Sequence, residues 1–218
     1  MVTRQSGGQL RVIDMIEKQG LFDVCEYDPA QSAVFCKVKE AFGGFSNMSN
    51  AFPVTINGVA MRNTEATYQA CRFPFNLEAQ QRIIEQNSGF SSKLVSRPYR
   101  QETRPDWDQV RVEIMRYVLR VKLAQNFETF GELLESTTTR PIVELSRRDP
   151  FWGAQVVEGT SLLRGQNVLG KLFVELRHEY VNACSESREA MRHVPPLDIP
   201  DFLLYGQPIQ AVGDSPIP

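Results

Sequence analysis

The sequence has few of the residues on which metal sites and nucleophilic triads depend. Only two histidines, His178 and His193, occur among 218 residues. Zinc sites draw on His and Cys ligands, and Ser-His-Asp and Cys-His enzymes need a histidine base, so this scarcity argues against all three classes. The four cysteines lie far apart with no Cys-x-x-Cys pair, which predicts reduced thiols in a reducing compartment rather than a disulfide framework.

Excess charge and long apolar runs are also missing. The net charge is −2 at pH 7, so there is no bulk attraction to nucleic acid or membranes, and any contact with nucleic acid has to be local. No stretch approaches the roughly 20 apolar residues that a membrane-spanning helix needs. The N-terminal region also lacks a signal-type apolar run. We therefore expect a cytoplasmic protein without a membrane partner.

The length and composition suit one folded domain with appendages. Hydrophobic residues make up 42% of the chain, enough for a core. We expect an N-terminal extension at 1–31, the domain at 32–193 and a Pro-rich tail at 194–218. Six of the 13 prolines fall in this tail, which predicts an extended segment, either packed on the surface or disordered.

Hydrophobic spacing and capping signals predict several helices and few strands. The predicted helices are 9–20, one that starts with Thr64 as N-cap, 77–86, 106–126 (the longest), 127–137 and 165–181. The predicted strands are 32–42 and 141–145, with a hairpin at 53–61 around Asn57-Gly58. Because no β-α-β alternation occurs, the pattern indicates an α+β fold, mainly helical, in a single domain.

Glu65 lies in the first turn of its predicted helix, where the helix dipole favours an ionised carboxylate. Gln69 and Arg72 follow at i+4 and i+7 and share its face. Acidic residues at helix starts are often purely stabilising, and on this pattern alone that interpretation is the stronger one.

Lys122 interrupts the apolar face of the longest predicted helix. Met115 and Val118 flank it on that face. The lysine either buries its stem and extends its amine to water, or delivers an ammonium group into a cleft. Arg111 falls in the same arc and raises the same question.

The stretch "RRDPFWG" places Asp149 three residues before Trp152. Pro150 keeps Asp149 out of helical geometry, and Gly153 permits backbone angles that other residues resist. Trp107 is likewise flanked by acids. Each tryptophan is either a core anchor, the usual case, or part of a site that stacks a base and stabilises positive charge.

Three stretches could contact phosphate. The Gly/Ser/Asn loop from Gly43 to Asn50 and the helix start at Gly165–Asn167 each offer backbone N–H groups. Neither matches a known phosphate-binding fingerprint. The polar connector at 87–105 carries a basic set that either contacts a phosphate backbone or is a solvated face: Lys93, Arg97, Tyr99, Arg100 and Arg104.

Five segments in order resemble the YbiA-like, or NADAR, superfamily. They are "FGGFSNMSN", "NGVAMRNTEATYQACRF", "RPDWDQVRVEIMRYVLRVKLAQN", "ELLESTTTRPIVELSRRDPFWG" and "GQNVLGKLFVELR", within 42–177. The resemblance implies a mainly helical α+β fold and N-glycosidase activity. One branch of the family hydrolyses riboflavin-pathway intermediates that carry an amine-linked ribose phosphate. Another removes ADP-ribose from guanine and serves as antitoxin to DarT-type DNA ADP-ribosyltransferases.

The resemblance also implies site residues. The family's polar and aromatic positions match Glu65, Trp107, Asp149 and Trp152, and its lysine matches Lys122. We therefore expect Glu65, Lys122 and Asp149 to be catalytic. The expected substrate-binding residues are Gly43, Gly44, Phe45, Ser46, Asn47, Gln69, Arg72, Trp107, Trp152, Gly153 and Asn167. The sequence departs from the family at Met61, Ala66 and Arg72, where Trp, His and Lys are usual.

These residue types suit glycosidic hydrolysis. Breaking a ribose C1″–N bond builds oxocarbenium character that a carboxylate stabilises, and an acid must assist the leaving amine. Lys122 would pair with a carboxylate, act as the acid, or attack the opened sugar as a nucleophile; the sequence leaves these roles open. We expect no metal or cofactor. The first expectation is removal of ADP-ribose from guanine in nucleic acid, with a DarT-like toxin as functional partner. The alternatives are a riboflavin-intermediate N-glycosidase and a non-catalytic ADP-ribose-binding module.

Overall fold

The computed structural model describes residues 20–213, so the helix predicted at 9–20 lies outside the described residues. Helices dominate and the strands are short, which confirms the mainly helical α+β class. The helices are α1 (Thr64–Ala70), α2 (Leu77–Ile84), α3 (Gly89–Val95), α4 (Trp107–Gln125), α5 (Phe127–Ser136), α6 (Val168–Asn182) and α7 (Ser185–Ala190). Short 3-10 helices cover Pro29–Gln31, Gly43–Phe45 and Arg97–Glu102. Among residues 20–213, no helix combines the length and apolarity that crossing a membrane requires.

The strands contain two or three residues each. They are β1 (Cys25–Tyr27), β2 (Ala33–Phe35), β3 (Val54–Ile56), β4 (Val59–Met61), β5 (Ile142–Glu144), β6 (Gln155–Val156), β7 (Leu163–Gly165), β8 (Leu203–Leu204) and β9 (Gln207–Pro208). Contacts divide the described chain into two units. The first unit comprises 20–46 and 133–178, and the second comprises 47–132 and 179–213.

The first unit contains two small sheets. Strand β7 pairs antiparallel with both β1 and β6, and β2 pairs parallel with β5. The rings of Phe35, Phe45 and Phe173 meet at centroid distances of 4.9 to 6.2 Å. All three are fully buried, so they form an aromatic core for this unit.

The second unit contains the β3–β4 hairpin and helices α1 to α4. The predicted Asn57-Gly58 turn is confirmed, with φ angles of 51° and 75° at the two residues. Helices α1, α2 and α3 pack on one another. The buried cluster among them comprises Ala66, Phe73, Ala79 and Ile83, with Val95 and Tyr99 at its edge.

The described part of the Pro-rich tail, 194–213, is packed into the second unit. Val194 and Val212 form a β-bridge, and β8 and β9 form a small hairpin. The ring of Phe202 lies edge-on to Tyr117 at 5.0 Å. Of the two alternatives for the tail, packing therefore applies to these residues.

Three local predictions were wrong in detail. The strand predicted at 32–42 ends at Phe35, because Glu40 Oε2 accepts the backbone N–H groups of Cys36 and Lys37 at 3.1 and 3.0 Å and closes a turn. The N-cap of α1 is Asn63, not Thr64. The connector at 87–105 is mostly helical, since it contains α3 and the third 3-10 helix.

Candidate functional site

The predicted site residues fall into two groups, one in each unit. The second unit holds the group around α1 and α4: Asn47, Glu65, Gln69, Arg72, Trp107 and Lys122. The first unit holds Gly43, Gly44, Phe45, Ser46, Asp149, Trp152, Gly153 and Asn167.

Two asparagines fix the start of α1 in the second unit. Asn63 Oδ1 accepts the N–H of Ala66 at 3.0 Å, the usual N-cap bond. The backbone carbonyl of Asn47 accepts the N–H of Glu65 at 2.9 Å, and its side-chain carbonyl accepts the hydroxyl of Thr64 at 3.0 Å. Asn47 Nδ2 lies 3.1 Å from the sulfur of Met115 on α4. Asn47 therefore ties the helix that carries Glu65 to the helix that carries Lys122.

Glu65 is held in a defined orientation. Glu65 is only 6% exposed, and Gln69 Nε2 donates a hydrogen bond to Glu65 Oε1 at 2.9 Å. Gly89, the first residue of α3, packs so close that a Cβ there would lie 3.0 Å from Glu65 Cβ and 2.6 Å from Met48 Cα. The carboxylate in the first turn also benefits from the helix dipole. A carboxylate buried and oriented in this way is suited to act on a bound substrate.

Arg72 and Trp107 lie at the other end of α1. The guanidinium of Arg72 sits 5.4 Å from the ring centroid of Trp107, and its Nε donates to Thr103 Oγ1 at 2.8 Å. The ring of Trp107 also contacts Tyr68 at 5.1 Å. Burial, and secondarily the nearby charge of Arg100, lower the pKa of Arg72. Trp107 itself is half-buried.

Lys122 is fully buried in α4, at 0% exposure. Its amine lies 5.3 Å from the ring centroid of Phe52 and 4.8 Å from that of Phe130. Burial lowers its pKa from 10.5 to about 7. The alternative in which the amine reaches water is therefore wrong. Arg111, on the same helix, differs because its side chain is 29% exposed and pairs with Asp108 at 3.7 Å.

In the first unit, Asp149 organises its own loop. Its Oδ1 accepts the backbone N–H groups of Phe151 and Trp152 at 3.1 and 3.0 Å. Its own N–H donates to Ser146 Oγ at 3.1 Å. The carboxylate thus has a structural role in shaping the turn, and Trp152 remains half-buried beside it.

The same loop caps α6. The carbonyls of Gly153, Phe151 and Trp152 accept the N–H groups of Asn167, Val168 and Leu169 at 3.1, 3.0 and 3.1 Å. The N–H groups at the start of a helix normally lack a partner within the helix. Here the loop carbonyls bind them, so these donors are not available for the phosphate contact considered from the sequence.

Asn167 is committed to the backbone of β5. Its Oδ1 accepts the N–H of Glu144 at 3.0 Å, and its Nδ2 donates to the carbonyl of Ile142 at 2.9 Å. It is 1% exposed and has a φ of 49°. These contacts give its side chain a structural role.

The glycine-rich turn before Asn47 also uses much of its backbone internally. The N–H groups of Gly43, Phe45 and Ser46 donate to carbonyls of the same segment at 2.9 to 3.1 Å. A Cβ at Gly43 would lie 2.5 Å from the carbonyl oxygen of Lys37, and one at Gly153 would lie 2.6 Å from that of Glu144. Both glycines are therefore required by close packing.

The connector's basic residues divide into two kinds. Arg104 is 3% exposed and donates to both carboxylate oxygens of Asp106, at 2.6 and 2.9 Å, and to the carbonyl of Pro200. Neither a phosphate contact nor a solvated face therefore applies to Arg104, because it is buried and anchors the tail. Tyr99 packs on Phe73 and is half-buried. Lys93, Arg97 and Arg100 are exposed.

Sequence reasoning missed two residues that position the site. Asn63 could have been predicted as the N-cap, since Asn is among the residues preferred at that position. Gly89 gave no signal, because its importance depends on how closely α3 approaches Glu65 and Met48. Within residues 20–213, no three His, Cys, Asp or Glu side chains are grouped so that they could hold a metal ion.

Comparison with known proteins identifies relatives of two kinds. The chain is 29% identical over 145 residues to the N-glycosidase YbiA of Escherichia coli, covering 66% of this chain and 86% of that protein. It is 29% identical over 153 residues to an N-glycosidase of Nostoc punctiforme, covering 69% and 94%. It is 31% identical over 134 residues to a riboflavin biosynthesis protein of Vibrio vulnificus, covering 61% of this chain but only 35% of that longer protein.

Structural and family comparisons agree. The NMR structure of Escherichia coli YbiA matches with a TM-score of 0.56 at 25% identity, covering 71% of this chain and 90% of that one. Residues 34–180, more than half of the chain, match the NADAR domain. This protein is a member of the NADAR domain family.

Proposed function

We propose that the protein is an N-glycosidase that hydrolyses the ribose C1″–N bond of ADP-ribosylated guanine in nucleic acid and so reverses that modification. Membership of the NADAR family supports the reaction class. So do two relatives named as N-glycosidases, which align over 86% and 94% of their lengths. The chain has a candidate for each chemical role in Glu65, Lys122 and Asp149.

The buried amine of Lys122 is the observation that carries the proposal. A lysine with a pKa of about 7 exists as both ammonium and amine near neutral pH. The ammonium can protonate the leaving guanine, and the amine can attack the opened sugar. An ordinary surface lysine is almost wholly protonated at this pH and can do only the first.

The carboxylates supply the complementary charge. In the simplest route the C1″–N bond breaks, its electron pair leaves with guanine, and an acid protonates the base. Glu65 stabilises the positive charge on the ribose and accepts a proton from the water whose oxygen bonds to C1″. Asp149 is the second candidate, since its turn-forming bonds go to Oδ1, leaving Oδ2 for another partner.

A riboflavin-pathway ribosylamino phosphate is the alternative substrate. The similarity to the Vibrio vulnificus riboflavin biosynthesis protein favours it. We favour the nucleic-acid substrate because Lys93, Arg97 and Arg100 are exposed in the second unit, next to the helix that carries Glu65. A small free phosphate ester would not need such an extended basic surface.

The direct test is release of free ADP-ribose from an oligonucleotide that carries ADP-ribosylated guanine, with a chelator present. Wild type should release it, whereas Glu65→Gln, Lys122→Met and Asp149→Asn should be strongly impaired. Binding of the ligand without release would favour the non-catalytic module. Hydrolysis only of the riboflavin intermediates, with release of ribose 5-phosphate, would establish the alternative.

A DarT-like toxin is the functional partner that the proposal implies. Co-expression of the wild-type protein should relieve the growth inhibition caused by such a toxin, and Glu65→Gln at equal abundance should not. Relief by both proteins would indicate a sequestering mechanism and count against hydrolysis.

A further inference from the structure

Helix α3 departs from the usual amphipathic pattern. Its buried residues are the small Gly89 and Ser92, and Val95 alone packs at the edge of the apolar cluster. Its outer side carries Phe90, which is 59% exposed, and Leu94, which is 37% exposed. An ordinary surface helix buries its apolar residues and exposes its polar ones. Phe90 and Leu94 are four residues apart, so they form an exposed apolar pair on one side of the helix.

The outer side is also basic. Lys93 lies at i+3 from Phe90, and Arg97 and Arg100 continue at similar spacing along the 3-10 helix that follows. No acidic residue occurs between 89 and 101. Within residues 20–213, no carboxylate forms a salt bridge with any of these three cations. We call Phe90, Lys93, Leu94, Arg97 and Arg100 the α3 strip.

The segment that carries the strip packs, through its inner side, on the helix that carries Glu65. At one end, Gly89 packs against Glu65: a Cβ added at Gly89 would lie only 3.0 Å from the Cβ of Glu65. At the other end, the N–H of Arg104 donates to the carbonyl of Arg72 at 3.0 Å, and Arg72 Nε donates to Thr103. The segment that carries the strip therefore contacts Glu65 at its first residue, Gly89. Its last residues lie next to Arg72 and Trp107, which belong to the candidate site.

We infer that the α3 strip binds the single-stranded nucleic acid on either side of the modified guanine, with Phe90 stacked on an unpaired base and the three cations on phosphates. An aromatic ring can stack on a base only where the base is unpaired, which selects single strand over duplex. Three cations that pair with no carboxylate in the described part of the chain complement a phosphate chain, although the protein as a whole has a net charge of −2. The inference rests on the proposed function, because it assigns the substrate of that site.

Binding can be measured separately from hydrolysis. The probe is a fluorescent, unmodified single-stranded DNA of about 12 nucleotides, a length within the range that one small domain covers. Phe90→Ala should weaken binding about tenfold, as expected for the loss of one stacked base. The triple variant Lys93→Gln, Arg97→Gln, Arg100→Gln should lower the dependence of log K on log salt by about 2, since each single-strand phosphate contact contributes about 0.7.

Matched controls separate the strip from general surface effects. Phe75→Ala removes an aromatic ring that is 66% exposed elsewhere in the second unit. Lys37→Gln, Lys39→Gln, Arg164→Gln removes the same charge from exposed positions of the first unit. Both controls should bind the probe like wild type. Equal weakening by strip and control variants would overturn the inference, as would tighter binding of duplex DNA or of vesicles containing phosphatidylserine.

Hydrolysis adds a second readout that distinguishes the two proposals. The triple strip variant should lose kcat/KM on an ADP-ribosylated oligonucleotide, but keep wild-type kcat/KM on ADP-ribosylated guanosine, which has no flanking strand. Equal loss on both substrates would refute the role of the strip. If the wild-type protein hydrolyses neither substrate, the proposed function fails, and the binding measurement alone still decides whether the strip binds single strands.

Discussion

Gln69 donates a 2.9 Å hydrogen bond from Nε2 to Oε1 of Glu65, one turn earlier on the same face of α1. Both residues are 6% exposed. A donor at i+4 on the same helix face restricts the rotamer of the carboxylate. The pair therefore presents a carboxyl oxygen in a defined orientation, as stabilisation of an oxocarbenium ion requires.

Glu65→Gln should lower kcat by about 10²- to 10⁴-fold, the range typical of a positioned acid or base. Gln69→Leu should lower kcat about tenfold with a smaller change in KM, because it disorients the carboxylate but keeps it. Glu78→Gln is the matched control, since Glu78 also lies in the first turn of a helix but is exposed. Steady-state kinetics on the modified oligonucleotide checks all three. Normal kcat in Glu65→Gln would remove Glu65 from the chemistry.

The buried amine of Lys122 predicts a pH-dependent stability. Its folded pKa of about 7 lies below the ordinary 10.5, so between these values the unfolded chain binds more protons than the folded one. The free energy of unfolding therefore rises with pH in this window, and the penalty from Lys122 is fully present only below pH 7. Relative to Lys122→Met, wild type should gain about 1 to 2 kcal/mol in the free energy of unfolding between pH 7 and pH 8.5.

Urea denaturation of both proteins at the two pH values measures this difference. The comparison cancels other titrating groups, such as Cys71, whose thiol pKa burial raises to about 12. A difference between the two proteins that does not change with pH would mean that the amine stays protonated in the folded state.

Asp149 should have separable structural and catalytic roles. Asp149→Ala removes the acceptor of two backbone N–H groups and should lower the free energy of unfolding by about 1 to 2 kcal/mol. Asp149→Asn keeps an oxygen acceptor and should lose only a few tenths of a kcal/mol. Thermal denaturation followed by tryptophan fluorescence reports both. If Asp149→Asn is stable and fully active, the carboxylate only stabilises the turn and has no role in catalysis.

Gly89→Ala should destabilise the protein by about 1 to 3 kcal/mol, because the added methyl would lie 2.6 Å from Met48 Cα and must displace backbone. It should also lower activity, since α3 would move away from Glu65. Gly20→Ala is the control, because its nearest contact would be 3.5 Å from Asp23 Oδ1, an ordinary van der Waals distance. Equal stability of the two variants would show that α3 can shift at little cost.

The parts of the fold that sequence predicted well depend on local signals. The long helix α4 and the β3–β4 turn were predicted because amphipathic spacing and Asn-Gly act over a few residues. Helix α3 was hidden because its buried face is Gly and Ser, which resembles a polar connector. Packing of the tail depends on Arg104 reaching carbonyls 96 and 97 residues away, which no local pattern encodes.

The site shows the same division. The position of Glu65 in the first turn follows from sequence, and Lys122 stood out as a charge on an apolar face. The complete burial of Lys122 could not be derived, because Phe52 and Phe130 come from other segments. The hydrogen bonds of Asn167 to β5 could not be derived for a related reason, since β5 lies more than 20 residues earlier.

The carbonyls of residues 151–153 give the first turn of α6 an unusual kinetic property. Amide protons at a helix start normally exchange with solvent quickly, because they lack partners. Those of Asn167, Val168 and Leu169 are bonded to the Asp149 loop and can exchange only when that loop opens. The rate of deuterium uptake at these three amides therefore reports how often the loop that carries Trp152 opens. A ligand bound to Trp152 should lower that rate, because it would hold the loop closed.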